Sequence, residues 1–262
     1  MRRLKEGHFL GIASQTFQLD GIIVSQTRYH TPVFQGWHCH EHHHLTLVLT
    51  GGNREQRSHK EQEVSAGSLL YYYSGERHKN SRTQYPSKNI NIEIPETFLA
   101  QHGLKFSTLE KFPSQQAQMK YAMLQIYREC MLTDQLLPAT LPALLLPVFT
   151  TPPIRKQAMP LWLAQLKTLL HDCWSDNLSL NEMAAILGVH PVTISRYFPV
   201  YFHCSLGEYI RKIKIDHAMQ LIQTTDQSLT TIAYACGFFD QSHFIRTFKQ
   251  VTGFLPRQFQ QL

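Results

Sequence analysis

The sequence lacks paired cysteines, long apolar runs, phosphate-binding loops and any concentration of positive charge in its C-terminal part. Each absence excludes something. The five cysteines, Cys39, Cys130, Cys173, Cys204 and Cys236, are scattered, odd in number and without CxxC spacing. That pattern argues against a disulfide framework and fits free thiols in a reducing cytosol, the expected location. No run of about 18 apolar residues exists, so no membrane-spanning helix is expected. The stretch LPALLLPVF (141–149) is too short and is interrupted by Pro142 and Pro147. The opening MRRLKEGHFLGIASQ is basic but has no sustained apolar run, which makes a poor signal peptide. No Gly-rich phosphate loop or nucleophile motif points to an enzyme. Residues 158–262 hold 8 Lys+Arg against 7 Asp+Glu, whereas residues 1–157 hold 17 against 12. The net charge of +6 therefore sits mostly in the first part of the chain. Any polyanion-binding surface in the second part depends on how charges sort between faces.

What is present is a folded chain of 262 residues, 43% hydrophobic and 11% aromatic, long enough for two cores. Its last hundred residues carry one grammar twice. The first copy is LSLNEMAAILGVHPVTISRYF (178–198) and the second QSLTTIAYACGFFDQSHFIRTF (227–248). Each has a polar start signal, a short amphipathic helix, a Gly, a turn and a second helix, the pattern of a helix-turn-helix. Leu161 to Trp174 forms an amphipathic helix ahead of them. Ser179 with Glu182 and Ser205 with Glu208 are capping boxes; Ser228 and Asp240 are caps. Gly188 and Gly237 end helices, and Pro191 sits at a first helical position, where its missing N–H costs nothing. Met183, Ile186 and Leu187 form one inner face, and Ile194, Tyr197, Phe198 and Tyr201 the next. A long helix from Ser205 through Gln223 joins the two copies as a rigid spacer.

The segment resembles the DNA-binding domain of the AraC/XylS family of bacterial transcription regulators, most densely over IAYACGFFDQSHFIRTFKQVTGFLP (232–256). The resemblance implies two reading helices in successive major-groove segments, about one helical turn apart. Carried over by position, the first presents Val192, Thr193, Ser195 and Arg196. The second presents Gln241, Ser242, His243 and Arg246, with Lys249 meeting phosphate. Arginine pairs bidentately with guanine and glutamine with adenine. Two departures stand out. Pro199 is on the exposed side of the first reading helix, where it is expected to kink or shorten it. Leu255 replaces the usual Ser before Pro256. The copy around Arg246 is therefore the better source of specificity.

Residues 8–95 read as short strands: Gly21–Val24, Leu45–Thr50 ending at Gly51-Gly52, Ser68–Tyr73, and Ile90–Ile94. They predict an antiparallel barrel or sandwich. In GWHCHEHHHLTLVLTGG (36–52), His38, His40, His42 and His44 share one parity, and His78 follows in SGERHKN. This part resembles a cupin barrel. Pro32, Tyr73 and Asn80 depart from the cupin pattern, and His44 stands where a Glu is usual. The resemblance implies that His38, His40, His44 and His78 line an effector pocket or, as an all-imidazole set, hold a divalent transition metal. Trp37, Tyr71 and Tyr73 are expected to help line it.

Between the two parts, Ser114 can cap a helix whose stripe is Met119, Ala122, Met123, Ile126, Tyr127, Cys130 and Met131. That stripe suits packing on the barrel or self-association. The expected layout is α+β and multidomain: a cupin-like effector-binding barrel (1–113), a helical interaction segment (114–149), a linker (150–157) and an all-α DNA-binding domain with two helix-turn-helix units (158–262). The expected function is sequence-specific DNA binding, with transcription activation under control of a small molecule in the barrel. The implied partners are an operator duplex, the effector, RNA polymerase and a second copy of the chain. The competing readings are a metal-dependent cupin enzyme with a DNA-binding appendage and a constitutive DNA binder whose barrel only dimerises.

Overall fold

The computed structural model of the chain describes residues 1–58, 60–109, 113–132, 137–149 and 159–262. The chain divides into two compact units, Met1–Thr150 and Thr151–Gln261. The expected linker at 150–157 and the side chain of the expected cap Ser114 lie outside what is described.

The N-terminal unit is a curled eight-stranded sheet. Its strands are β1 (Arg2–Leu4), β2 (Ile12–Leu19), β3 (Ile22–Tyr29), β4 (His38–His40), β5 (His43–Arg57), β6 (Glu61–Ser65), β7 (Leu69–Tyr72) and β8 (His78–Ile94). The order runs β1-β4-β8-β3-β2, and β5 pairs with β6, β7 and β8. Among the described residues, only the β1–β4 pair is parallel. The long β5–β8 pair is the spine, with Leu45, Leu47, Ile90, Ile92 and Ile94 essentially inaccessible to water. Gly51-Gly52, read from the sequence as the end of a strand, instead lies inside β5. The register shifts there, and the strand continues to Arg57. Gly52 has φ +153°, and a Cβ at this position would fall 2.0 Å from the Val64 carbonyl oxygen. The pair is thus a bulge that lets β5 curl while β6 approaches closely.

After β8 come α1 (Glu96–Gln101), a 3-10 turn (Phe106–Thr108), α2 (Pro113–Leu132) and α3 (Leu137–Phe149). The α2 stripe is buried from Met119 through Cys130, while Met131 is exposed. Tyr127 donates a hydrogen bond to Gln15 on β2, and its ring meets Phe17 edge-on. The stripe therefore packs on the sheet. Helix α3 runs through Pro142 and Pro147 and buries Leu141, Leu145, Val148 and Phe149. Each such burial stabilises by about 1.5–3 kcal/mol, which together can offset a proline cost of about 3 kcal/mol.

The C-terminal unit is helical: α4 (Leu161–Asp172), α5 (Leu180–Leu187), α6 (Pro191–Phe202), α7 (Leu206–Thr224), α8 (Leu229–Ala235), α9 (Gln241–Thr252) and α10 (Pro256–Gln260). The two capping boxes, the Ser228 and Asp240 caps, Pro191 at the start of α6 and left-handed Gly188 are all present. One core gathers Leu163, Leu166 and Leu170 of α4, Met183 and Ala184 of α5, Ile194, Phe198 and Phe202 of α6, and Ile213 of α7. Two expected inner residues are not inside: Ile186 is 60% exposed and Tyr197 45%. Ala184 and Phe202 take those places, so the buried stripe on each helix is rotated from the expected one. In the second copy, Phe244 and Phe248 are fully buried, and α10 closes the unit by setting Phe259 against Phe248. Among the described residues, no helix is long and apolar enough to cross a membrane.

Candidate functional site

The two candidate reading helices turn outward most of the side chains that the sequence pattern assigns to them. On α6, Val192, Ser195 and Arg196 are exposed and Thr193 is half-buried. On α9, Ser242, His243, Arg246 and Lys249 are exposed and Gln241 is half-buried. Opposite them, Ile194 and Phe198 anchor α6, and Phe244, Thr247 and Phe248 anchor α9. A helix needs this division to lie in a major groove while remaining fixed to its own core.

The two helices are held differently. Asp240 Oδ1 accepts from the His243 backbone N–H at 2.6 Å, a charge-assisted cap. At α6 the cap is the His190 ring, whose Nδ1 accepts from Val192 N–H at 3.2 Å. Pro199 does not shorten α6, contrary to expectation. The helix continues to Phe202, whose ring stacks on Phe198 at 4.3 Å, and both rings pack against Tyr209 of α7. Those aromatic contacts hold the last turn despite the hydrogen bond that proline removes. Gln241 is also tethered, because Thr230 Oγ1 donates to its Oε1 at 2.9 Å.

In the N-terminal unit the histidines gather as the sequence suggests, with one change. The chain turns between β4 and β5, so His42 leaves the shared face and meets Glu6 at 3.3 Å near the surface. His38, His40, His44 and His78 are buried, none more than 5% exposed. Together they line a cavity of about 30 Å³. His38, His40 and His78 each offer a ligand atom within 4.8 Å of the others. His44 lies beside this trio, its ring tilted against that of His40 at 4.2 Å between centroids. His38 Nδ1 faces the Gly36 carbonyl at 3.1 Å and His78 Nδ1 the Glu76 carbonyl at 3.2 Å. When these nitrogens carry the proton, both Nε2 atoms keep a free lone pair. His40 Nδ1 is buried without a hydrogen-bond partner.

Burial, followed by repulsion from the neighbouring imidazoles, pushes His40 down to about 2 and His78 to about 4. His38 and His44 are also lowered, chiefly by burial. The cluster is therefore neutral at ordinary pH, the state in which imidazole binds metals. The expected aromatic lining is corrected. Trp37 lies under Arg77 and Lys79, and neither Tyr71 nor Tyr73 lines the cavity. Tyr72 does: it stacks on His44 at 4.4 Å and donates to Glu55. Arg57 closes this network, 2.7 Å from Glu55, 3.0 Å from Glu76 and 4.6 Å over the Tyr72 ring. Glu55, Arg57 and Tyr72 were missed because only the strand register places them. His44 pairs with Tyr72, and Arg57 with His78.

Comparison with known proteins addresses the C-terminal unit. A family model described as a helix-turn-helix domain matches residues 183–262. The HTH-type transcriptional regulator GbdR of Pseudomonas aeruginosa is 30% identical over 95 residues, covering 36% of this chain and 26% of GbdR. The HTH-type transcriptional activator RhaS of Enterobacter sp. is 29% identical over 99 residues, 38% of this chain and 36% of RhaS. The chain thus matches only about a quarter to a third of these relatives' length. A solved transcriptional regulator from Chromobacterium violaceum, described as containing an AraC-type DNA-binding domain, is 27% identical. It covers 38% of this chain and 89% of that one, at a TM-score of 0.37. From Met183 onward, the chain matches the helix-turn-helix domain model, and over this part it is similar to curated HTH-type transcriptional regulators.

Proposed function

We propose that the protein is a sequence-specific DNA-binding transcription regulator, an activator whose N-terminal pocket takes the controlling ligand. The observation that carries the DNA-binding reading is the pair of capped helices with buried aromatic anchors and outward Arg196 and Arg246. Val192, Thr193, Ser195, Gln241, Ser242 and His243 complete the base-reading set, and Lys249 meets phosphate. Control requires the ligand to bind two arrangements of the protein with different affinity. In this reading, segment 114–149 is the interaction element, 150–157 the linker, and RNA polymerase and a second copy are partners. The test is selection from a random duplex pool by the full chain, followed by binding at fixed salt. Arg246→Ala is expected to weaken the selected duplex by about 1–3 kcal/mol. Unchanged affinity would remove Arg246 from the reading set.

The pocket's size and chemistry favour an ion over a larger effector. A cavity of about 30 Å³ holds one or two waters, since each needs about 10–15 Å³. Two ligands about 2.1 Å from one metal lie at most about 4.2 Å apart, so small ring rotations would complete a site from His38, His40 and His78. Neutral imidazoles suit zinc, iron, copper or nickel, and a bound ion would add positive charge that the neutral cluster lacks. Equilibrium dialysis of chelator-treated full-length protein against zinc is expected to give about one ion per chain and a higher melting temperature. Neither binding nor stabilisation would return the pocket to an organic effector.

A further inference from the structure

The two helix-turn-helix copies are joined by more than a continuous helix. Lys214 lies near the middle of α7 and is only 7% exposed. Its Nζ donates to Asn177 Oδ1 in the segment before α5 at 2.8 Å, and to the Gly237 carbonyl just after α8, also at 2.8 Å. The same ammonium lies 5.9 Å from the centre of the Phe238 ring. One side chain therefore reaches the threshold of the first copy and the internal turn of the second. Gly237 shows how tightly the parts meet. It has φ +67°, and a Cβ there would come within 2.8 Å of the Ser175 carbonyl oxygen and 2.9 Å of Lys214 Nζ. Gly188, its counterpart in the first copy, has open space at the same position.

The packing around this junction gives the polar contacts more to do. A cavity of about 210 Å³ lies beside Lys214, lined by Leu169, Leu170, Trp174, Leu178, Met183 and Ile213. Ile213 and Tyr209 pack α7 against the first copy, and the cavity leaves the side that carries Lys214 less tightly packed. A void forfeits contacts that would resist a tilt. Directional hydrogen bonds from a buried ammonium do resist it, because breaking one leaves a charge or a carbonyl unsatisfied. The Trp174–His217 stack, 3.8 Å between centroids, is a second contact between the same segment and α7.

We infer that Lys214 is a positioning residue: it braces the first helix-turn-helix against the second and so fixes the spacing between the two DNA boxes they can read together. The inference rests on the DNA-binding reading above. Two boxes engaged by one rigid body gain affinity from each other, and a loosened body loses part of that gain while each box is still read.

The test uses the full chain and duplexes selected from a random pool, in wild type and in Lys214→Met. The wild-type protein is expected to enrich two boxes at one spacing. The variant should enrich the same boxes with the spacing spread by a base pair or more. Its affinity for the wild-type duplex should fall about tenfold, while its affinity for a single-box duplex stays unchanged. A general loss of structure would lower both affinities together. Asn177→Ala, which removes one end of the brace and leaves the lysine, should spread the spacing in the same direction. It carries the test if Lys214→Met does not fold. Folded variants that keep a single sharp spacing would overturn the inference. Failure of the wild-type protein to enrich any sequence would instead overturn the DNA-binding reading, and this inference with it.

Discussion

The two units of this chain treat their proposed working residues in opposite ways. The sheet unit buries its own: four imidazoles no more than 5% exposed, neutral, in a cavity with room for a water or two. The helical unit exposes most of its own and buries the anchors behind them, Ile194 and Phe198 on α6 and Phe244, Thr247 and Phe248 on α9. Buried polar groups tie function to folding, because the groups that would bind a ligand also carry a desolvation cost. Exposed readers separate the two. Changing Arg246 should cost binding and leave stability nearly untouched, whereas changing the protonation of His40 must change stability.

Acid offers the largest contrast. His40 and His78 have folded pKa values of about 2 and about 4, below the ordinary 6.5. The unfolded chain takes up protons below pH 6.5 that the folded metal-free sheet unit refuses. Stability from these groups is therefore fully present above pH 6.5 and is lost as pH falls through the window down to their folded values. At pH 5 the loss is on the order of 2 kcal/mol for each. Denaturant unfolding of the chelated protein at pH 7 and pH 5, followed by probes in each unit, should show the sheet unit weakening more. Equal losses in both units would break the contrast.

A smaller effect separates the two glycines that end the first helix of each copy. Gly188→Ala meets open space and should cost about 1–2 kcal/mol for its left-handed backbone alone. Gly237→Ala incurs that strain and also meets the Ser175 carbonyl and Lys214, so it should cost more. Equal melting temperatures for the two variants would mean that the junction relaxes freely. The smallest effect concerns caps. Asp240→Ala should destabilise by about 1 kcal/mol and His190→Ala by less, since the ring cap is longer and uncharged. The reverse order, measured by thermal unfolding, would mean that α6 depends on its cap more than α9 does.

Much of the helical unit was legible because its signals are local. Ser179 with Glu182, Ser205 with Glu208, Pro191, Gly188 and Asp240 act within one turn of where they stand. The rotated faces were not. Ile186 and Tyr197 are apolar at helical spacing but point outward, because the position of each helix on its neighbours, rather than its own periodicity, selects the buried stripe. In the sheet unit, the histidine spacing led to the cluster, since His38 and His40 on β4 and His44 on β5 lie on strands that both pair with β8, which carries His78. Tyr72 escaped notice because period-two alternation in a Tyr71-Tyr72-Tyr73 run cannot say which parity faces inward without the register to His44. Helix α3 ran against the local signal at Pro142 and Pro147, which tertiary burial overrode. Lys214 gave no signal at all, since its partners lie 37 and 23 residues away.

The central claim is that α6 and α9 read DNA together from one face. Hydroxyl-radical footprinting of the full chain on its selected duplex tests it most directly. Two protected patches, about 10 base pairs apart and on the same side of the helix, are the predicted result. A single patch, or two that fall on opposite faces, would contradict it.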